Sequence, residues 1–261
     1  MTVSPLWRVG TVPYLVAQPL TDGLIDHPRI DLVEAPPAEL AEGLRCGYLD
    51  AALASSVITL GDSDLQLWDE GPVIASDGPI RSVLLFLRPG LKDLSEVQSW
   101  YADPHSRTGR ALAGIVLAGN GASTAMRHEC PSPEPFESAM RHGVDAVQLI
   151  GDPALSASSL QEGWKIIDLG VSWQELTRLP FVFAGWILRP GFELGGLESC
   201  LTDAATRGLA ARESLVAAAA GSFGKDERFF HRYLFEDLCY QLPAATIRES
   251  LSAFAENLVV G

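Results

Sequence analysis

The sequence predicts an α/β chain of two lobes with a ligand cleft between them. Three observations carry that prediction. A plan of amphipathic helix, glycine, Asp-Ala strand and polar turn occurs twice, over 37–56 and again over 135–155. Short β-branched, apolar runs alternate with segments of helical periodicity along most of the chain. Two stretches read as crossings between lobes: Arg88-Pro89-Gly90 as the way out and Leu179–Leu188 as the return. The boundaries are residues 1–88 with 186–261 for the first lobe and 89–185 for the second.

Trp7–Val12 reads as the first strand, and Pro13–Leu20 turns out of it into a helix ending near Gly23. Arg29–Glu34 is a second strand. Pro36-Pro37 opens a helix with Leu40 and Leu44 on one face and Glu39 and Glu42 outside. Asp50–Ala54 is a third strand, ending in the Ser55-Ser56 turn. Gly61–Asp64 reads as a loop, Gln66–Ala75 as extended, and Ser76-Asp77-Gly78-Pro79 as a turn before the strand Ile80–Leu87. In the second lobe, Ser99–Ala102 is a strand and 103–110 a polar turn. Ser106 is the N-cap of a helix that Gly119-Asn120-Gly121 ends. Val144–Ile150 is a central strand followed by a turn at Gly151, with Asp152 as N-cap and Pro153 at the first helical position. Trp164–Leu169 is another strand, and Ser172 with Glu175 fits a capping box. From about Gly195 the chain reads as helical, with breaks near Gly221 and Pro243.

Composition bounds the partners. The 261 residues are 47% hydrophobic and 20% charged, enough for a sizeable core, and carry a net charge of −14. That charge argues against nucleic acid, whose phosphates need clustered Lys and Arg. It leaves room for a small anion, because local donors and helix termini outweigh a distant field in salt. No apolar run is long enough to span a membrane, and no signal peptide is evident, so a cytoplasmic protein is expected. The four cysteines (Cys46, Cys130, Cys200, Cys239) lack CxxC spacing and the five histidines lack HExxH, so no metal site is expected. Gly119-Asn120-Gly121 is no dinucleotide fingerprint, since no strand feeds it.

The candidate site lies at strand ends, where open α/β sheets bind ligands. Ser55 and Ser56 close one strand, Ser82 opens another, and Ser106 with Thr108 stands at a helix start. The amides around Gly151 and Asp152 form a second helix start. Unpaired N–H groups at such starts suit a carboxylate or phosphate.

Several stretches, taken in order, carry a likeness: Val9–Leu15, Asp50–Ser56, Gly78–Val83, Ser106-Arg107-Thr108, Asp145–Leu155, Asp168-Leu169-Gly170 with Trp173, Leu179–Trp186 and Tyr233-Leu234-Phe235. Together they resemble the MqnA family, the chorismate dehydratases of the futalosine route to menaquinone. The likeness spans nearly the whole chain. It implies a periplasmic-binding-protein-like, type II fold. It also implies a hydro-lyase that removes water from chorismate, a small-molecule carboxylate, to give 3-[(1-carboxyvinyl)oxy]benzoate without a cofactor. The substrate-binding set it implies is Tyr14, Val16, Ser55, Ser56, Ser82, Ser106, Thr108, Gly151 and Asp152; it names no catalytic base and no oligomeric state. One departure stands out. Where the family commonly reads Ser-Tyr-Leu-Asn, this chain reads Pro13-Tyr14-Leu15-Val16. The alternative reading is therefore a weak or inactive cytoplasmic protein that binds a cyclic or aromatic carboxylate.

Overall fold

The computed structural model describes residues 6–60, 64–131, 133–158 and 163–258. In chain order its elements are β1 (Trp7–Thr11), α1 (Gln18–Thr21), β2 (Ile30–Glu34), α2 (Pro37–Arg45), β3 (Ala51–Ser55), β4 (Gln66–Leu67), β5 (Val73–Ser76), β6 (Val83–Leu87) and β7 (Ser99–Ala102). There follow α3 (Arg107–Gly119), β8 (Met126–Glu129), α4 (Pro135–His142), β9 (Ala146–Ile150), α5 (Gly151–Ala157), β10 (Lys165–Asp168), α6 (Leu169–Thr177) and β11 (Phe181–Leu188). The C-terminal part is helical: α7 (Leu197–Ala210), α8 (Arg212–Phe223), α9 (Glu227–Arg232), a π turn over Tyr233–Asp237, and α10 (Ala244–Leu258). Most of the loop expected at Gly61–Asp64 lies outside the described residues.

The chain forms two compact units, Met1–Ala75 with Val182–Leu251, and Ser76–Phe181 with Ser252–Gly261. The first holds a sheet in the order β2-β1-β3-β11-β4, with β5 also on β11. β1 pairs in parallel with β2 and β3, and β11 runs antiparallel to β3 with Ala184 opposite Ser55. β3 is short and apolar because it is central: Ala51 to Ala54 are all buried. Gly10 is needed on β1, since a Cβ there would lie 2.6 Å from Leu40 of α2.

The second unit holds a sheet in the order β10-β6-β9-β7-β8. On one face Leu84, Phe86, Val147 and Leu149 pack with Phe136 and Ala139 of α4 and Ala154 and Ala157 of α5. Phe86 and Trp164 both meet Phe136 edge-on, at 5.1 and 5.0 Å. Gln148, between Val147 and Leu149 on the strand, faces the opposite side. Trp173, Phe181 and Phe254 form a second aromatic cluster, with rings 4.9–6.0 Å apart.

Several expectations need correction. The passage between units falls at Ala75/Ser76, not at Arg88-Pro89-Gly90, because β6 pairs with β9 and β10 of the second sheet. The charged Pro-Gly turn at 88–90 is only a loop within that unit. Helix α6 starts three residues before the Ser172/Glu175 capping box. Asp168 caps it by accepting from Gly170 and Val171 N–H, and the Ser172 hydroxyl donates back to Asp168 O. Of the C-terminal breaks, the one expected near Pro243 is there, since α10 starts at Ala244; the one expected near Gly221 falls at Gly224, in the left-handed region that glycine tolerates, and a further break falls at Ala211.

Candidate functional site

In the second unit the ends of β7 and β9 and the beginning of β6 meet at one sheet edge. Val83 pairs with Ile150, so Ser82 and Gly151 are neighbours, and Gly151 N–H donates to Ser82 O at 2.7 Å. Asp103, just past β7, ties its loop to β9. Its N–H donates to Gln148 Oε1 at 3.0 Å, while its carboxylate accepts from Ile150 N–H (3.2 Å) and His105 N–H (2.9 Å). Ser106 N–H then donates to Asp103 O, which aims the chain into α3.

Ser106 occupies the N-cap position expected of it but makes no capping bond with its side chain, although the residue is buried. Thr108, in the first turn of α3, is also buried. Helix α3 comes close to β9 through Gly109. A Cβ there would lie 2.4 Å from Ser106 Oγ, 2.9 Å from Ile150 Cγ2 and 3.0 Å from Gln148 Nε2. Gln148 is fully buried, and its Nε2 has no hydrogen-bond partner among the described residues.

The second helix start differs from expectation. The N-cap of α5 is Ile150, with φ −127° and ψ 165°, and Gly151 is already the first helical residue, at φ +58°. Glycine makes that strand-to-helix turn in one step, which leaves Asp152 inside the first turn instead of capping it. There its carboxylate already enjoys the positive helix end and opposes a ligand anion at the same amides.

The loop 76–82 is built around Asp168. The carboxylate accepts from four backbone N–H groups: Ile80 (3.1 Å), Arg81 (2.8 Å), Gly170 (2.9 Å) and Val171 (3.3 Å). Burial pushes the Asp168 carboxyl up from the usual carboxylate value, against the downward pull of these amides. Burial likewise raises Asp103, opposed by the His105 and Ile150 amides. Gly170 seats the loop, since a Cβ there would lie 2.4 Å from Gly78 O and 2.7 Å from Ser76 Oγ. Ser82 itself is buried, with its hydroxyl donating to Ile80 O at 3.3 Å.

In the first unit the matching edge holds Thr11, the 13–17 turn and Ser55-Ser56. Tyr14 is half-buried at the start of a 3₁₀ turn over Leu15–Ala17. Val16 in that turn is buried, and its carbonyl accepts from Tyr240 OH at 3.2 Å. Ser55 is half-buried at the end of β3. The Ser56 hydroxyl is fully buried and donates to Val182 O at 2.6 Å, so it braces β11. Thr11 Oγ1 is buried with no hydrogen-bond partner among the described residues.

Sequence reasoning thus missed Asp103, Gln148 and Asp168 as organisers of the second unit's edge. Asp103-Pro104 carried a turn signal, and Asp168 precedes a helix as a cap should. Nothing local marks Gln148, whose role comes only from its place on a central strand. Cys130 lines a cavity of about 410 Å³ beside Asp103, His105 and Phe136, and burial pushes its thiol up to about 12. Among the described residues no three His, Cys, Asp or Glu side chains converge as a metal-binding set. No helix among them is long and apolar enough to cross a membrane.

A family model described as menaquinone biosynthesis matches residues 7–258. A chorismate dehydratase from Thermus thermophilus is 30% identical over 246 residues, covering 87% of this chain and 86% of that protein. Among solved structures, the alkanesulfonate-binding protein SsuA of Xanthomonas axonopodis pv. citri, bound to MOPS, superimposes with a TM-score of 0.71 at 18% identity. It covers 100% of this chain and 94% of its own. The periplasmic aliphatic sulphonate binding protein SsuA of Escherichia coli gives 0.65 at 18% identity, covering 98% and 89%. The fold is therefore periplasmic-binding-protein-like, as the sequence predicts.

Proposed function

Given that the chain belongs to the menaquinone biosynthesis family, we propose that it is a hydro-lyase that removes water from chorismate to give 3-[(1-carboxyvinyl)oxy]benzoate. The observation that carries this reading is the 30% identity to a chorismate dehydratase along 87% of the chain.

The chemistry suits a site of donors with no strong base. One ring proton and one hydroxyl leave as water, and the cyclohexadiene becomes aromatic, so the step runs strongly downhill. No electrons are gained or lost overall, and no redox cofactor is needed. What the protein supplies is orientation of a dianion and stabilisation of the departing hydroxyl. Ser82, Ser106 and Thr108 at the edge of the second sheet, with Tyr14 and Ser55 at the edge of the first, are the groups assigned to hold the substrate. Gly151 contributes backbone, and Ser56 and Asp152 support their turns. Val16 stands where the family commonly has asparagine; if that asparagine polarises the leaving hydroxyl or positions the substrate, valine does not replace it in that role. We place the reaction in the cytoplasm, as befits a biosynthetic step on a soluble carboxylate.

The test is to mix the purified protein with chorismate and follow the mixture by chromatography with mass detection. Loss of one water with appearance of an aromatic ring is the expected result. Thermal stabilisation by chorismate without product would instead favour a binding protein on the same scaffold.

A further inference from the structure

We infer that Gln148 is a positioning residue for the substrate: its side-chain N–H holds the Ser106 hydroxyl, and that hydroxyl donates its proton to a substrate carboxylate at the start of α3. The inference rests on the dehydratase reading above. Gln148 is fully buried on β9, and its Nε2 has no hydrogen-bond partner among the described residues. Its Oε1 accepts from Asp103 N–H at 3.0 Å. Only the carbonyl end of the amide can accept, so the NH2 end is turned the other way. There it meets the first turn of α3. Nε2 lies 3.0 Å, and Ser106 Oγ 2.4 Å, from the point that a Cβ on Gly109 would occupy. The two polar ends therefore flank one glycine, and any larger residue there would crowd both.

A buried amide N–H without an acceptor is costly, and an apolar side chain of the same length would fill this place without that cost. What glutamine adds is a donor beside a serine that does not cap. Ser106 sits at the N-cap of α3, a helix of 13 residues, yet its hydroxyl bonds no amide of the first turn. A hydroxyl has one proton and two acceptor sites. Taking Gln148 Nε2–H on one of those sites fixes the oxygen and leaves the proton to be donated. The surrounding groups are donors too. The first amides of α3 have no partner within the helix, and the Asp103 carboxylate is already engaged by the His105 and Ile150 amides. The cluster lacks an acceptor, and a carboxylate supplies one at the positive end of the helix. A turn of the serine side chain brings Ser106 Oγ onto Nε2 when the carboxylate is in place. Ser106 then touches the substrate, and Gln148 acts through Ser106.

The test compares Gln148→Met, Ser106→Ala, the double variant and Gly109→Ala with the wild type by calorimetric titration with chorismate, by turnover and by urea denaturation. Gln148→Met and Ser106→Ala should each weaken chorismate binding at least about fivefold, with a rise in KM larger than the fall in kcat. Because the two act in series, the double variant should bind no more than about twofold more weakly than the weaker-binding single variant. Ser106→Ala should keep the wild-type urea midpoint, since no cap bond is lost. Gly109→Ala keeps both polar groups and the Asp103 bond, but its Cβ pushes the movable Ser106 Oγ away from Nε2. It should weaken binding as Ser106→Ala does, and it decides the matter if Gln148→Met does not fold. Gln148→Met or Gly109→Ala protein that binds chorismate as the wild type does would overturn the inference. So would a double variant whose loss is the product of the single losses. Wild-type protein that binds chorismate without converting it overturns the dehydratase reading alone, and the titrations then still decide Gln148. Wild-type protein that neither binds nor converts it overturns both.

Discussion

Gly170→Ala is the sharpest perturbation of the loop that carries Ser82. Its new Cβ would sit 2.4 Å from Gly78 O and 2.7 Å from Ser76 Oγ, whereas real Cβ atoms stay beyond 3.0 Å. Loop 76–82 would have to withdraw by at least about 0.6 Å, against the bonds by which the Ile80 and Arg81 amides hold Asp168. Overpacking of this kind costs about 1–3 kcal/mol, and a backbone obstacle places it in the upper part of that range. Alanine returns up to about 1 kcal/mol of helix propensity, less in a first turn. The net loss is about 2 kcal/mol, or roughly 4–8 °C in melting temperature for a chain of this size. Because Ser82 moves with the loop, kcat/KM for chorismate should fall by up to ~10²-fold. Gly221→Ala is the control: it is exposed in α8 with nothing within 4 Å of its Cβ, so the same exchange should stabilise by about 0.5–1 kcal/mol. Urea denaturation and steady-state kinetics on both variants decide the matter. A Gly170→Ala protein with wild-type stability and wild-type kcat/KM would refute the argument that this contact seats the loop.

Three further outcomes are expected. Ser56→Ala removes the buried bond to Val182 O and should lower stability by about 1–2 kcal/mol; an unchanged urea midpoint would show that the bond contributes nothing. Asp168→Asn tests a sign. Burial raises the native Asp168 pKa, so its stabilising contribution is complete below about pH 3.8 and is lost as pH rises through the raised native value. The stability gap between wild type and Asp168→Asn should therefore shrink on going from pH 4.5 to pH 7, and a widening gap would mean that the amide bonds outweigh burial. Val16→Asn restores the donor of the family pattern and should raise kcat by up to ~10²-fold. It should also destabilise by about 1–3 kcal/mol, since Val16 is buried. Unchanged turnover across a range of chorismate concentrations would exclude Val16 as the limiting departure.

Much of the architecture was legible because periodicity is local. The helix Pro37–Arg45 was written in Leu40 and Leu44, and the strand Phe181–Leu188 in its unbroken apolar run. Where sequence reading failed, long-range pairing decided. Ile80–Leu87 looks the same whichever sheet takes it; only its ladder with β9 assigns it to the second. The start of α5 depended on Gly151 adopting φ +58°; the start of α6 is a local cap by Asp168 on Gly170 and Val171, and what no window shows is that the same carboxylate also holds amides 87 and 88 residues away. Among the site residues, the hydroxyls at strand ends could be named from turn chemistry. The residues that orient them, Asp103 and Gln148, act through bonds across 45–47 positions; a local window shows Asp103 only as a turn residue and does not mark Gln148 at all.

The interleaving of the two units also sets an order of events on the ribosome. All strands of the second sheet lie between Val83 and Asp168, so that sheet can assemble as soon as this segment has emerged. The first sheet begins earlier and finishes later. Its central strand β3 has one neighbour in β1, but the other, β11, is made more than a hundred residues afterwards. Until then Ala51–Ser55 presents a bare apolar edge, the kind of strand that pairs with other nascent chains. The sheet encoded second is thus the first to complete, although its unit still awaits Phe254 from the end of the chain, and the N-terminal segment has most need of a chaperone while it waits.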